Sequence, residues 1–141
     1  MERGWIEEGL YRKIRDTVPI ASVDALTLCR GKLLLLLRNN EPARGLWWTP
    51  GGRVRKGEQL GEAVRRELME ETGLSPYKIE KIGVMSHIWP EVHFVTSFFR
   101  VDVVDDAVVL NDEHSDFRWV SSVNDELHPY LIQMIRESKI F

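Results

Sequence analysis

The sequence predicts an α/β fold in which a mixed β-sheet is sandwiched between helices. Three features carry that expectation. The run Leu33 to Leu37 is almost pure leucine, as in a strand buried on both faces. Residues 59–72 form an amphipathic helix with Leu60, Ala63, Val64 and Leu68 on one face. A C-terminal helix over 128–139 has an inner stripe of Leu131, Met134, Ile135 and Ser138. Strands mingled with helices of this kind fit a mixed sheet covered on both sides.

The chain has 141 residues, enough for one domain spanning 1–141. Residues 5–15 read as a short helix, with Ile6, Leu10 and Ile14 four apart, stopped by Pro19. This N-terminal segment, 1–18, is expected to cover a sheet edge or a partner subunit. Ser22 to Cys29 reads as a strand, Arg30-Gly31 as a turn, and Lys32 to Arg38 as the returning strand. A loop rich in Asn, Pro, Gly and Trp, 39–50, delivers Pro50-Gly51-Gly52, followed by a short strand at Arg53-Val54. Gly73 is the expected left-handed cap of the helix over 59–72. Lys78 to Ser86 and Val92 to Val104 are strand-like, with Phe94, Thr96 and Phe98 on one side of the second. Asn111 to Ser115 is a polar loop, and Asp116 to Val120 a last short strand.

The helix over 59–72 carries an anomaly that points to chemistry. At about 100° per residue, Glu67 and Glu71 project into its apolar arc and Glu70 sits at the edge. Carboxylates facing inward repel one another and lose hydration, so a cation must offset them. A hard divalent ion such as Mg²⁺ suits oxygen ligands. The plain alternative is surface pairing with Arg65 and Arg66, but neither arginine serves Glu67 and Glu71 together.

The stretch 52–74 resembles the signature of the Nudix hydrolases. Its fixed places are Gly52, Glu58, Arg66, Glu67, Leu68, Glu70, Glu71, Gly73 and Leu74, and every one is matched. The resemblance implies an α/β/α sandwich and Mg²⁺- or Mn²⁺-dependent attack of water on a nucleoside diphosphate linked to another group. Outside this box, from about Pro19 to Trp119, the chain resembles the GDP-mannose hydrolases. The carriers are Ser22-Val23-Asp24, Arg38, Pro42 to Trp47, Pro50 to Val54, Gly83 to His87 and Asp112 to Trp119.

The roles below are those the resemblance implies. Gly51 lends its carbonyl to the metal, with Glu67, Glu70 and Glu71, and Glu113 as a further acid from the late loop. Arg38 and Arg53 hold phosphate oxygens, His87 stabilises the leaving diphosphate, Asp24 places the sugar, and Phe94 stands where a phosphate-touching Tyr is expected. His114 activates water; its other reading is a polar loop residue. Arg66 orients Glu58 or Glu70 and does not touch substrate. The GDP-mannose hydrolases lack the first Glu of the Arg-Glu pair and one later glutamate, and attack the sugar carbon. This chain keeps all three acids, as ordinary Nudix pyrophosphatases do. The expectation is hydrolysis of a nucleoside diphosphate sugar, GDP-mannose or GDP-glucose, to GDP and free sugar. The alternatives are P–O cleavage of ADP-ribose, a nucleotide sugar or a damaged nucleoside triphosphate, and a nucleotide-binding module without turnover.

A formal net charge of −3 argues against a general nucleic-acid-binding surface. A single cysteine, Cys29, excludes an internal disulfide framework, and no apolar run is long enough to span a bilayer. The start, Met1-Glu2-Arg3-Gly4, has no apolar signal region, so the expected location is the cytoplasm. Homodimerisation is expected by analogy. One of Trp47 and Trp48 is expected to face inward and the other outward.

Overall fold

The computed structural model describes residues 5–141. Met1 to Gly4, the start of the expected signal-free N-terminus, lie outside the described residues. The elements are α1 (Glu8–Thr17), β1 (Ile20–Cys29), β2 (Lys32–Arg38), β3 (Trp47–Trp48) and β4 (Gly51–Arg53). They continue with α2 (Leu60–Thr72), β5 (Pro76–Ile88), β6 (His93–Val103), β7 (His114–Val120) and α3 (Pro129–Ser138). Most bounds fall within two or three residues of the sequence reading. The short strand at Arg53-Val54 begins earlier, at Gly51, because Gly51 to Arg53 pair antiparallel with Ser22 to Asp24 of β1.

Seven strands form one mixed sheet, ordered β3-β2-β1-β6-β5, with β4 also on β1 and β7 on β2. The sheet is mixed because β1 runs parallel to β6, from Ile20↔Phe94 to Leu28↔Asp102. The other pairings are antiparallel.

Two cores lie on opposite faces of the sheet, and the leucine run of β2 feeds both. Leu34 and Leu36 join Val23, Ala25, Phe99 and Val101 under Ala63, Val64 and Leu68 of α2. Leu33 and Leu35 join Leu26, Leu28 and Phe98 under Leu131, Met134 and Ile135 of α3. Successive strand residues point to opposite faces, so a strand between two helical layers is apolar at every position. Cys29 is a buried core residue.

The helix α2 is closed at both ends by its own sequence. Gln59 and Glu62 form a reciprocal capping box, and Gly73 adopts φ 75° to end the helix. In α3, His128 caps the first turn by accepting from the Tyr130 amide at 3.0 Å, with Pro129 following.

The N-terminal helix departs from expectation. It starts at Glu8 and none of its residues is buried. Its start is set by Glu7, whose side chain accepts from the amides of Gly9 and Leu10, and its end by extended Val18 before Pro19. Ile6 therefore lies ahead of the helix, outside the expected stripe with Leu10 and Ile14, and Leu10 is exposed. No described helix is long and apolar enough to cross a membrane.

The core under α3 makes a test of this packing. Leu131 is fully buried, and removing a buried leucine side chain costs about 2–5 kcal/mol. Leu131→Ala is expected to lower unfolding free energy by that amount in a denaturant titration. A loss below about 1 kcal/mol contradicts the packing of α3 on the sheet.

Candidate active site

The acids of α2 meet the strand β4 at the end of β1. Glu67 is 9% exposed and Glu71 1%, both on the face that also buries Val64 and Leu68. Glu70 is one step round the helix and its side chain is 46% exposed. The helical phase therefore divides the three acids as the sequence implies.

Two glycines let the strand lie against these carboxylates. A Cβ on Gly52 meets the Glu67 carboxylate at 2.6 Å. A Cβ on Gly51 collides with the backbone of Val23 and the carboxylate of Asp24. The Gly51 amide reaches Glu71 Oε1 at 3.4 Å.

Arg66 fixes the cluster from one side. Its guanidinium donates to Glu58 at 2.7 and 3.0 Å, to Glu67 Oε1 at 2.7 Å and to the Arg53 carbonyl at 3.0 Å. A longer bond reaches Glu70 at 3.4 Å. The planar fork suits this divided task. These bonds hold the Glu58 carboxyl below its usual range and the Arg66 guanidinium above its own.

Among the described residues no arginine is paired with Glu71. Burial raises its carboxyl well above the ordinary range, and neighbouring Glu67 raises it further. Burial also raises Glu67, against the pull of Arg66. Glu71 Oε2 is buried without a hydrogen-bond partner. A cation with oxygen ligands suits such a pair.

An open cleft of about 410 Å³ runs over this cluster. Glu67, Glu70 and Glu113 line it, with Gly51 and Gly52. Arg38, Arg53 and Arg55 bring positive charge to the same cleft, and Arg38 Nε donates to the Pro42 carbonyl at 2.8 Å. Asp24, His87 and Phe94 line its far side. Two of the expected residues do not line it, Glu71 and His114. His114 is buried, its Nε2 3.7 Å from Glu71 Oε1, and burial lowers its pKa to about 4.

The far side is a wall of buried polar and aromatic groups. Trp48 Nε1 donates to Asp24 Oδ2 at 3.2 Å, and His87 Nδ1 lies 3.9 Å from the same oxygen. Thr96 bonds both His87 Nδ1 at 3.3 Å and Ser22 at 2.6 Å. Tyr130 stacks on His87 at 4.8 Å and 14°, and Trp48 meets it edge-on. Burial lifts Asp24 to about 7 and lowers His87 to about 4. Trp48 is thus the inward member of its pair. Trp47 lies beneath the Arg118 guanidinium at 4.2 Å.

Sequence reasoning missed Ser22, Thr96, Trp89, Arg55 and Tyr130. Thr96 had a signal, since it shares a strand face with Phe94. Tyr130 had none, because its contact with His87 depends on where α3 docks. Tyr11 and Arg15 of α1 also line the cleft, four residues apart on one helix face.

The NUDIX domain family model matches residues 18–131. The low-salt glycan biosynthesis protein Agl8 of Haloferax volcanii is 32% identical over 134 residues, covering 89% of this chain and 86% of that protein. The ADP-ribose pyrophosphatase of Methanocaldococcus jannaschii is 37% identical over 97 residues, 67% of this chain and 57% of its own length. Among solved structures, a MutT NUDIX hydrolase from Burkholderia pseudomallei superposes with a TM-score of 0.77 at 24% identity. It covers 85% of this chain and 98% of that one.

Asp24 yields a stability test with a defined sign. Its carboxyl is raised from 3.8 to about 7 in the folded state. The fold therefore loses stability as pH rises from about 4 through 7, by on the order of 4 kcal/mol. An Asn at this place still accepts from Trp48 and carries no charge. In chelator, Asp24→Asn is expected to be more stable than the parent at pH 8, with the gap closing toward pH 4. A gap that does not change with pH contradicts a buried, destabilising charge at this position.

Proposed function

The chain belongs to the Nudix family, and from that premise we propose that it is a metal-dependent hydrolase of a nucleoside diphosphate sugar, opening the diphosphate by attack of water on phosphorus. The observation that supports the point of attack is the contrast between the acids and His114. Glu67, Glu70 and Glu113 line the cleft, whereas His114 is buried against Glu71. A base serving the anomeric carbon has to face the sugar and reach water. A side chain 1% exposed behind a carboxylate does neither. We therefore favour pyrophosphatase chemistry over the expected route through His114 to GDP and free sugar.

In this reading Glu67, Glu70, Glu71, Glu113 and the Gly51 carbonyl hold a divalent cation. Their fit to one rests on the buried Glu67–Glu71 pair and the unpartnered oxygen of Glu71. Bound there, Mg²⁺ or Mn²⁺ supplies Lewis acidity and a water of lowered pKa. Glu70, the most open of the three box acids, takes the proton from the attacking water. Arg38 and Arg53 hold phosphate oxygens and offset the charge that builds on them. Arg66 positions Glu67 and stays off the substrate, since its donors are already engaged. His87 lines the cleft, unlike His114, and burial keeps it neutral above about pH 4, so that its ring is the group assigned to the leaving phosphate. Asp24 and Trp48 meet the sugar, and Phe94 flanks it.

The substrate class draws on two relatives. One is named for glycan biosynthesis and the other for ADP-ribose hydrolysis. ADP-ribose and GDP-mannose are both nucleoside diphosphates joined to a sugar. GDP-mannose comes first, on Asp24, His87 and the stretch from Arg38 to Val54. Trp5 and Leu10, exposed on the N-terminal segment, support a contact with a second copy of the chain.

A panel of nucleotide sugars, ADP-ribose and nucleoside triphosphates, run in ¹⁸O-water, tests the reading. The expected products are a nucleoside monophosphate with a sugar 1-phosphate from GDP-mannose, or with ribose 5-phosphate from ADP-ribose, one product of each pair labelled on phosphate. Label in a free sugar hydroxyl overturns attack on phosphorus. A wide preference for 8-oxo-dGTP overturns the substrate class.

A further inference from the structure

Behind Glu71 lies His114, a buried ring that the cleft chemistry does not use. Glu71, Glu113 and His114 each present a ligand atom, and no two of these atoms are more than 4.8 Å apart. The His114 side chain is 1% exposed, yet neither Nδ1 nor Nε2 has a hydrogen-bond partner. Glu71 Oε2 is buried and unpartnered too. Buried polar atoms are nearly always satisfied. The fully buried His114 ring, 3.7 Å from the Glu71 carboxylate and with neither nitrogen hydrogen-bonded, is placed to serve as a ligand.

The backbone holds these groups in place. A bulge between Leu37 and Arg38 shifts the register of β2 on β7, so that Arg38 pairs with His114. A bulge of this kind re-aims the side chain at its border. The preceding loop is tied by the Asn39 amide to the Glu113 carbonyl at 2.9 Å. Asn111 Oδ1 accepts from the Glu113 amide at 3.1 Å. His114 Nε2 and Glu71 Oε1 stand 3.7 Å apart. Two ligands on one ion at about 2.1 Å are separated by about 3–4 Å. The exposed Glu113 side chain has freedom to close onto the same point.

We infer that His114 is a nitrogen ligand, completing with Glu71 and Glu113 a mixed nitrogen–oxygen site that favours a first-row transition ion over Mg²⁺. This rests on the reading that the box acids hold metal, and deepens it by naming the ion class. Imidazole prefers Zn²⁺, Co²⁺ and similar ions, whereas carboxylate and carbonyl oxygens alone suit Mg²⁺. Glu71 is shared, since its Oε1 also takes the Gly51 amide at the edge of the cleft.

The test needs no variant. Histidine ring nitrogens of the intact protein are followed by ¹⁵N NMR while Zn²⁺ is added. The expected result is a metal-bound shift for one His114 nitrogen, with His87, His93 and His128 unchanged. Carboxyl resonances of the box that respond while His114 stays put overturn the nitrogen ligand and leave the metal reading standing. No response from any of these groups overturns both. As a second measurement, His114→Gln is expected to lower the ratio of Zn²⁺ to Mg²⁺ affinity about tenfold or more. An unchanged ratio in a folded variant contradicts the inference.

Discussion

Two carboxylates buried side by side on the core face of one helix set the terms for this molecule. Glu67 and Glu71 occupy positions that helical geometry assigns to apolar residues. Burying them without compensation costs several kcal/mol per charge. The surrounding structure shares out that cost. Arg66 takes Glu67 and Glu58. The Gly51 amide reaches Glu71, and Gly52 leaves room for the Glu67 carboxylate by lacking a side chain. Glu71 is left with the neighbouring Glu67 carboxyl, and burial and that neighbour both raise it. Among the described residues arginines pair with Glu58, Glu67 and Glu70 but none is paired with Glu71, next to an open cleft.

The opposite wall of the cleft applies the same logic to recognition. Asp24 is buried where its charge is costly, and Trp48, Ser22, Thr96 and His87 build a hydrogen-bonded group around it. A site that presents buried polar groups discriminates strongly against ligands that leave them unpaired. The aromatic rings of Trp48, Trp89, His128 and Tyr130 hold that group from behind. They connect the cap of α3 to the wall, so the second core positions this wall while the first positions the acids.

Much of this was legible in the sequence, because it depends on local periodicity. The phase of α2 assigned Glu67 and Glu71 inward and Glu70 to the edge, and the leucine run declared a strand between two layers. The inner stripe of α3 was read residue for residue. What escaped depends on partners distant in the chain. Ser22 meets Thr96 only because β1 and β6 pair in one parallel register. The orientation of His114 hangs on a bulge in β7, where Ser115 is the extra residue and no glycine or proline marks it, and a slip of one residue reverses which side a strand residue faces. The spacing in α1 identified a stripe but not what covers it.

We propose that the buried acids of α2 hold a divalent cation. Melting temperatures of the parent and of Glu71→Gln, each in excess chelator and in excess Mn²⁺, test it most directly. An ion present at a hundred times its Kd stabilises the folded state by about 2.7 kcal/mol. The account predicts a rise of several degrees with Mn²⁺ in the parent. It predicts little rise in Glu71→Gln, which in chelator melts no lower than the parent. Equal shifts in both proteins, or a variant that melts well below the parent in chelator, contradict it.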